Sequence, residues 1–177
     1  MRIKHPANII SFIRIIMVVC LLMTEALSVQ FYIFYTAAGV SDILDGAVAR
    51  KTQTQSNFGA KLDSITDLFM FTAVLIKLLP TMIIVVPLWL WWLAAVVLLM
   101  KLISCGISLS KFGGLHFLHT FANKAVGAVL FLVPYFISCW QIWVLAAVLA
   151  VWAAAEELII MIKAKEINPD IKGIWQI

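Results

Sequence analysis

Apolar residues run along the chain in six stretches, 9–27, 28–49, 58–79, 85–108, 117–138 and 140–162, the first two contiguous and the rest separated by short polar or turn-forming breaks. Each is close to the roughly 20 residues that an α-helix needs to cross a bilayer core, and no strand-like alternation competes with the helical reading. Pro80 and Pro87 are expected to bracket a short turn, and Gly113-Gly114 marks another. The last two stretches abut so closely that residues 138–141 must hold their turn. The pattern predicts an all-α integral membrane protein, a six-transmembrane-helix bundle forming one domain over residues 1–177.

Composition agrees: the 177 residues are 64% hydrophobic and 12% charged, with a mean hydropathy of +1.05, far from a soluble domain. Charge placement gives a direction. With the amino terminus inside, Arg2, Lys4, Arg14, Arg50, Lys51, Lys61, Lys101, Lys111, Lys124, Lys163, Lys165 and Lys172 fall in or near the cytoplasmic half, and Lys77 lies toward the outer side. Both termini are therefore expected in the cytoplasm of a bacterial-type, multi-pass membrane protein. Arg2 and Lys4 before the apolar run 15–23 imitate a secretory leader, but Arg14 lies against that run and its removal would spoil the charge asymmetry.

The net charge of +4 favours anionic membrane lipids, and without a basic soluble domain nucleic-acid binding has no support. Cys20, Cys105 and Cys139 share no Cys-x-x-Cys spacing and are expected to be small buried hydrophobes rather than ligands or a disulfide framework. Trp89, Trp91, Trp92, Trp140 and Trp143 suit an outer interfacial belt. The tail, residues 166–177, is expected to be peripheral, and Glu156 and Glu157 to pair with Lys163 and Lys165.

Against this apolar background stand four aspartates at helical spacing: Asp42 and Asp45 three apart, Asp63 and Asp67 four apart. Each pair projects from one helix face, and a short polar connection brings both pairs to the same, cytoplasmic end. Such a cluster repels itself at low dielectric unless protons or cations enter. With no histidine or cysteine beside them, hard oxygen ligands favour magnesium, manganese or calcium over zinc, and two ions suit chemistry on a phosphate. Gly46 and Gly59 leave room for a ligand at the backbone, and Arg50 is placed to fork onto a phosphate, although helix packing and a snorkelling flank explain each residue alone.

From Asp42 to Asp67 the array resembles, position for position, the signature D-x-x-D-G-x-x-A-R-x(8)-G-x-x-x-D-x-x-x-D of the CDP-alcohol phosphatidyltransferase family. Upstream, Asn8, Ser11 and Arg14 are similar to that family's N-x-x-[ST]-x-x-R on the first helix. The resemblance implies transfer of a phosphatidyl group from CDP-diacylglycerol, or a related CDP-alcohol, to a small hydroxyl acceptor with release of CMP. It implies two Mg2+ or Mn2+ ions on Asp42, Asp45, Asp63 and Asp67, with Asp67 also taking the acceptor's proton. Asp42, Gly46, Ala49, Arg50, Gly59 and Asp63 would hold the CDP donor, Asn8, Ser11 and Arg14 would border its cavity, and the protein would be a homodimer.

The acceptor is less defined. Lys101, Lys111, His116, His119, Asn123 and Lys124 cluster around the connection between the fourth and fifth stretches, on the expected cytoplasmic side. Lys111, His119 and Lys124 are candidates for binding an anionic acceptor, which puts glycerol 3-phosphate first. Positive-inside topology alone would also place lysines there. Asp63-Ser64 looks more like the branches using serine or inositol, so serine, inositol and inositol phosphate stay open. The competing classes are an intramembrane prenyltransferase, whose aspartate motifs lack the intervening Gly-x-x-Ala-Arg, and a non-enzymatic membrane cation-binding protein.

Overall fold

The computed structural model describes residues 6–52, 57–114, 116, 118, 120–164 and 171–176, with side chains described outside 6–11 and 43–64. These residues form helices α1 (Pro6–Met23), α2 (Val29–Thr52), α3 (Asn57–Val85), α4 (Leu88–Phe112), α5 (Phe121–Leu132) and α6 (Trp140–Lys163), and no strand occurs among them. Short 3-10 turns cover Val133–Phe136 and Ile174–Gln176. The chain divides into two compact units, Met1–Thr81 and Met82–Ile177.

In the first unit α1 packs along α2. Arg14, Val18 and Leu21 form a buried stripe on α1, and Phe31, Tyr35, Ala38 and Ser41 a buried stripe on α2, both at the three- and four-residue spacing of one helix face. Phe31 and Tyr35 stack at 5.8 Å. Each stripe is apolar along most of its length and polar at one end.

Side chains set the helix limits here. Thr24 Oγ1 donates to the Leu21 carbonyl at 2.7 Å, Lys77 Nζ of α3 donates to the Thr24 carbonyl at 2.6 Å, and Leu27 takes a left-handed φ of 61°. These contacts satisfy carbonyls that the ending helix leaves open, so α1 stops at Met23, ahead of the expected limit at 27. Ser28 then starts α2, its hydroxyl accepting the Phe31 N–H at 3.1 Å.

The turn expected between Pro80 and Pro87 is corrected: α3 runs through Pro80 to Val85, and the break falls at Val86-Pro87. Pro80 has the φ a helix needs and forfeits one hydrogen bond, a loss that long apolar helices tolerate.

In the second unit α6 packs on both α4 and α5. Ala146, Ala153 and Ala154 of α6 are buried, and such small side chains let helix backbones approach closely. Gly113, at φ 71°, ends α4, and its N–H returns to the Leu109 carbonyl. Thr120 caps α5 by accepting the Asn123 N–H at 3.2 Å.

The fifth stretch, expected as one span over 117–138, is instead a 12-residue helix followed by a 3-10 turn. Thr120 delays its start, and Pro134, which has no N–H to donate, tightens its end. The turn into α6 falls where the sequence places it, with Trp143 Nε1 donating to the Ile137 carbonyl at 2.8 Å. Among the described residues three helical stretches are long and apolar enough to cross a membrane: Ile65–Val85, Leu88–Phe112 and Trp140–Lys163. Shorter apolar helices cover Phe12–Met23 and Phe121–Phe136.

A polar network joins the three helices of this unit. Lys101 Nζ of α4 lies 2.5 Å from Glu157 Oε2 of α6 and 3.0 Å from Asn123 Oδ1 of α5, while Asn123 Nδ2 donates to the same Glu157 oxygen at 3.0 Å. Among the described residues Glu157 thus pairs with Lys101 and not with Lys163, while Lys165 lies outside them. Glu156 accepts the Ile174 N–H at 3.2 Å.

The described part of the tail, residues 171–176, is docked, contrary to the expectation of a peripheral segment. Ile171 is buried with Leu118, Ile160, Met161 and Ala164, the Lys172 carbonyl accepts the Phe121 N–H at 3.0 Å, and Trp175 stacks on Phe121. Apolar burial and the open N–H groups of a helix start hold it there.

Replacing Lys101 by Met leaves Glu157, 6% exposed, without its cation. The variant should lose roughly 3 kcal/mol of stability in mixed-micelle unfolding, and Lys101→Met/Glu157→Leu should recover most of it. Equal losses in both variants would refute the coupling.

Candidate active site

Arg14 is the largest fully buried side chain, with no solvent exposure. A lone buried guanidinium costs several kcal/mol, so its position depends on its partners. It finds them on both neighbouring helices of the first unit. Nη2 lies 3.1 Å from Asp42 Oδ1 of α2, and Nη1 lies 2.8 Å from Asp67 Oδ1 of α3. Nη1 also donates to Thr66 Oγ1 at 3.2 Å, and Nε to Ser41 Oγ at 3.4 Å. The Ser41 hydroxyl in turn donates a hydrogen bond to the Ala38 carbonyl at 2.6 Å.

The planar guanidinium suits this task because its Nη1 and Nε donors point in fixed directions to Asp67, Thr66 and Ser41 while Nη2 stays within ion-pair distance of Asp42. Asp42 lies ten residues before the end of α2 and Asp67 ten residues after the start of α3, so the two occupy matching levels of the helices that flank the connection. Their nearer oxygens are no farther apart than one guanidinium fork allows. The two carboxylates are nonetheless 45% and 50% exposed. The result is a pair of half-open anions backed by a sealed cation.

Of the sequence-derived site residues, the structure therefore brings together Arg14, Asp42 and Asp67. Asp45, Gly46, Ala49 and Arg50 lie on α2, Gly59 and Asp63 on α3, and Asn8 and Ser11 on α1, with their side chains outside the described residues. Among the described residues no group of three metal-ligating side chains occurs. The described part of the array nevertheless fits a hard cation, since it offers carboxylate oxygens only, from two helices, with open surface on each.

Among the acceptor candidates, Lys111 Nζ donates to the carbonyls of Met161 at 3.2 Å and Ile162 at 2.7 Å, at the end of α6, and sits 5.2 Å from the Phe112 ring centroid. It satisfies helix-end carbonyls. Lys124 is exposed in the first turn of α5, and His119 lies outside the described residues. Lys101 and Asn123 are taken up by Glu157, and His116 Nδ1 lies 3.0 Å from the Gly114 carbonyl.

Sequence reasoning missed Ser41 and Thr66. The available signal was that a hydroxyl residue directly precedes an aspartate on each helix, Ser41-Asp42 and Thr66-Asp67.

The sequence model of the CDP-alcohol phosphatidyltransferase family matches residues 4–162, most of the chain, and the protein belongs to that family. Neither a curated protein nor a solved structure matches it. It is accordingly an integral membrane transferase of phospholipid synthesis, moving a phosphorus-containing group from a CDP-alcohol to an alcohol acceptor. The family is generally dependent on divalent cations.

Proposed function

We propose that the protein transfers the phosphatidyl group of CDP-diacylglycerol to a small phosphorylated polyol, glycerol 3-phosphate first, and releases CMP. The convergence of Asp42 and Asp67 on Arg14, inside the family's aspartate array, carries this reading. In the reaction the acceptor hydroxyl oxygen forms a bond to the phosphorus that bears the diacylglycerol. The anhydride bond to CMP breaks, its electron pair leaves with CMP, and the hydroxyl proton passes to Asp67.

Asp42, Asp45, Asp63 and Asp67 would hold two Mg2+ or Mn2+ ions. When bound, such ions neutralise the pyrophosphate and the charge that develops on the leaving oxygen. The chain's own contribution is placement: Gly46, Ala49 and Gly59 leave space for the nucleotide, Arg50 takes a phosphate, and Asn8 and Ser11 border the donor. Asp67, half exposed, is open to an incoming hydroxyl. The homodimer implied by the resemblance belongs to the same reading.

For the acceptor, Lys111 is already engaged by helix-end carbonyls, which shifts weight to Lys124, exposed at the start of α5, and to His119. Serine, inositol and inositol phosphate are the competing acceptors, because Asp63-Ser64 resembles the branches that use them. The lysine and arginine distribution supports a cytoplasmic side for both termini and the aspartate array.

Purified protein with CDP-diacylglycerol and Mg2+ should release CMP fastest with glycerol 3-phosphate in a panel with serine, inositol and inositol phosphate. Lys124→Ala should raise the Michaelis constant for that acceptor, about tenfold if one charge-assisted hydrogen bond of roughly 1.5 kcal/mol is lost. A preference for serine or inositol would replace the acceptor assignment.

Asp67→Asn should bind the CDP donor with near-normal affinity while turnover falls by about 100-fold or more. Retained turnover would remove the base assignment.

Cys139, exposed in the turn before α6 and not buried as its sequence setting suggests, should react with an impermeant maleimide added outside intact cells. Labelling only after the cytoplasmic face is opened would reverse the orientation.

A further inference from the structure

The four partners of the Arg14 guanidinium among the described residues do not by themselves require an arginine. A lysine ammonium could neutralise one aspartate, and smaller groups could fill the space. What the fork adds is simultaneous reach: Nη2 to Asp42 on α2, Nη1 to Asp67 on α3, with Thr66 and Ser41 fixing its plane. Full burial prevents water from competing for those donors.

Two carboxylates held on facing helices repel each other, and without a cation between them their side chains turn apart. Arg14 contacts Oδ1 of each, and each carboxylate keeps about half of its surface open. We infer that Arg14 is a positioning residue for the cation site, holding the Asp42 and Asp67 carboxylates side by side before a divalent ion arrives. This rests on the proposed role of those aspartates as cation ligands and goes beyond it by assigning their alignment to a buried residue that holds the ligands themselves. The buried cation on its own would weaken uptake of a second cation, so charge and geometry act in opposite directions. Arg14→Lys separates them, since it keeps the charge and loses the fork.

The test is Mn2+ binding to the detergent-solubilised full chain without nucleotide, read from the electron paramagnetic resonance signal of free Mn2+. It is paired with the Michaelis constant for CDP-diacylglycerol. Arg14→Lys should weaken Mn2+ binding about tenfold, as loss of an outer partner of a metal ligand does, and by a larger factor than it raises the donor constant. Thr66→Val, which loosens the fork while keeping every charge, should weaken Mn2+ binding in the same direction by a smaller factor, and it decides the matter if Arg14→Lys does not fold.

A raised donor constant with unchanged Mn2+ affinity would make Arg14 a donor ligand and overturn the inference. So would a lowered melting temperature in protein that binds Mn2+ like the wild type, or a wild-type chain that takes up no Mn2+. A wild-type chain that binds Mn2+ but releases no CMP, with Arg14→Lys still weakening the binding, would sink the proposed reaction and leave the positioning role intact.

Discussion

One buried guanidinium organises the first unit. Arg14 is sealed from solvent, and a charge in that position is tolerable only where opposite charge and hydrogen-bond acceptors surround it. Those groups come from α2 and α3, so the polar end of α1 can be buried only if both helices present their aspartates at its level. The apolar stripe below it, with Val18, Leu21, Phe31, Tyr35 and Ala38, supplies non-directional attraction. Directional bonds from the fork then select the register. In the same unit Lys77 does related work on the carbonyl of Thr24.

The second unit uses the same physics with different residues. Glu157 is buried and paired with Lys101, while Asn123 serves both partners and also donates to the Leu118 carbonyl at 2.9 Å. Such a network gives α4, α5 and α6 a defined register where apolar side chains alone would permit sliding. The docked tail adds to it: Lys172 covers an open N–H at the start of α5 and Glu156 receives the N–H of Ile174. A membrane enzyme that handles a charged nucleotide benefits from keeping its internal charges committed, since an uncommitted one would compete for the substrate's phosphates.

Much of the aspartate array was legible without coordinates because its spacing is local: residues three or four apart on a helix share a face whatever the rest of the chain does. The helical class was legible for the same reason, from run length and hydropathy. Helix limits were less so. Pro80 reads as a breaker in isolation, yet α3 continues through it. Conversely, Pro134 and Thr120 divide a run that looks uniformly apolar.

The sequence by itself determined the helical membrane character, the aspartate spacing and the family, because each is encoded within a few helical turns. Tertiary structure alone decided which groups share a charge: Arg14 with Asp42 and Asp67, 28 and 53 positions away, and Lys101 with Glu157, 56 positions away. An ion pair in an apolar interior is chosen by how helices pack against each other, and no periodicity along the chain encodes that choice. The same holds for Lys111, whose charge invites a substrate role in sequence and whose place beside the end of α6 gives it helix carbonyls to satisfy.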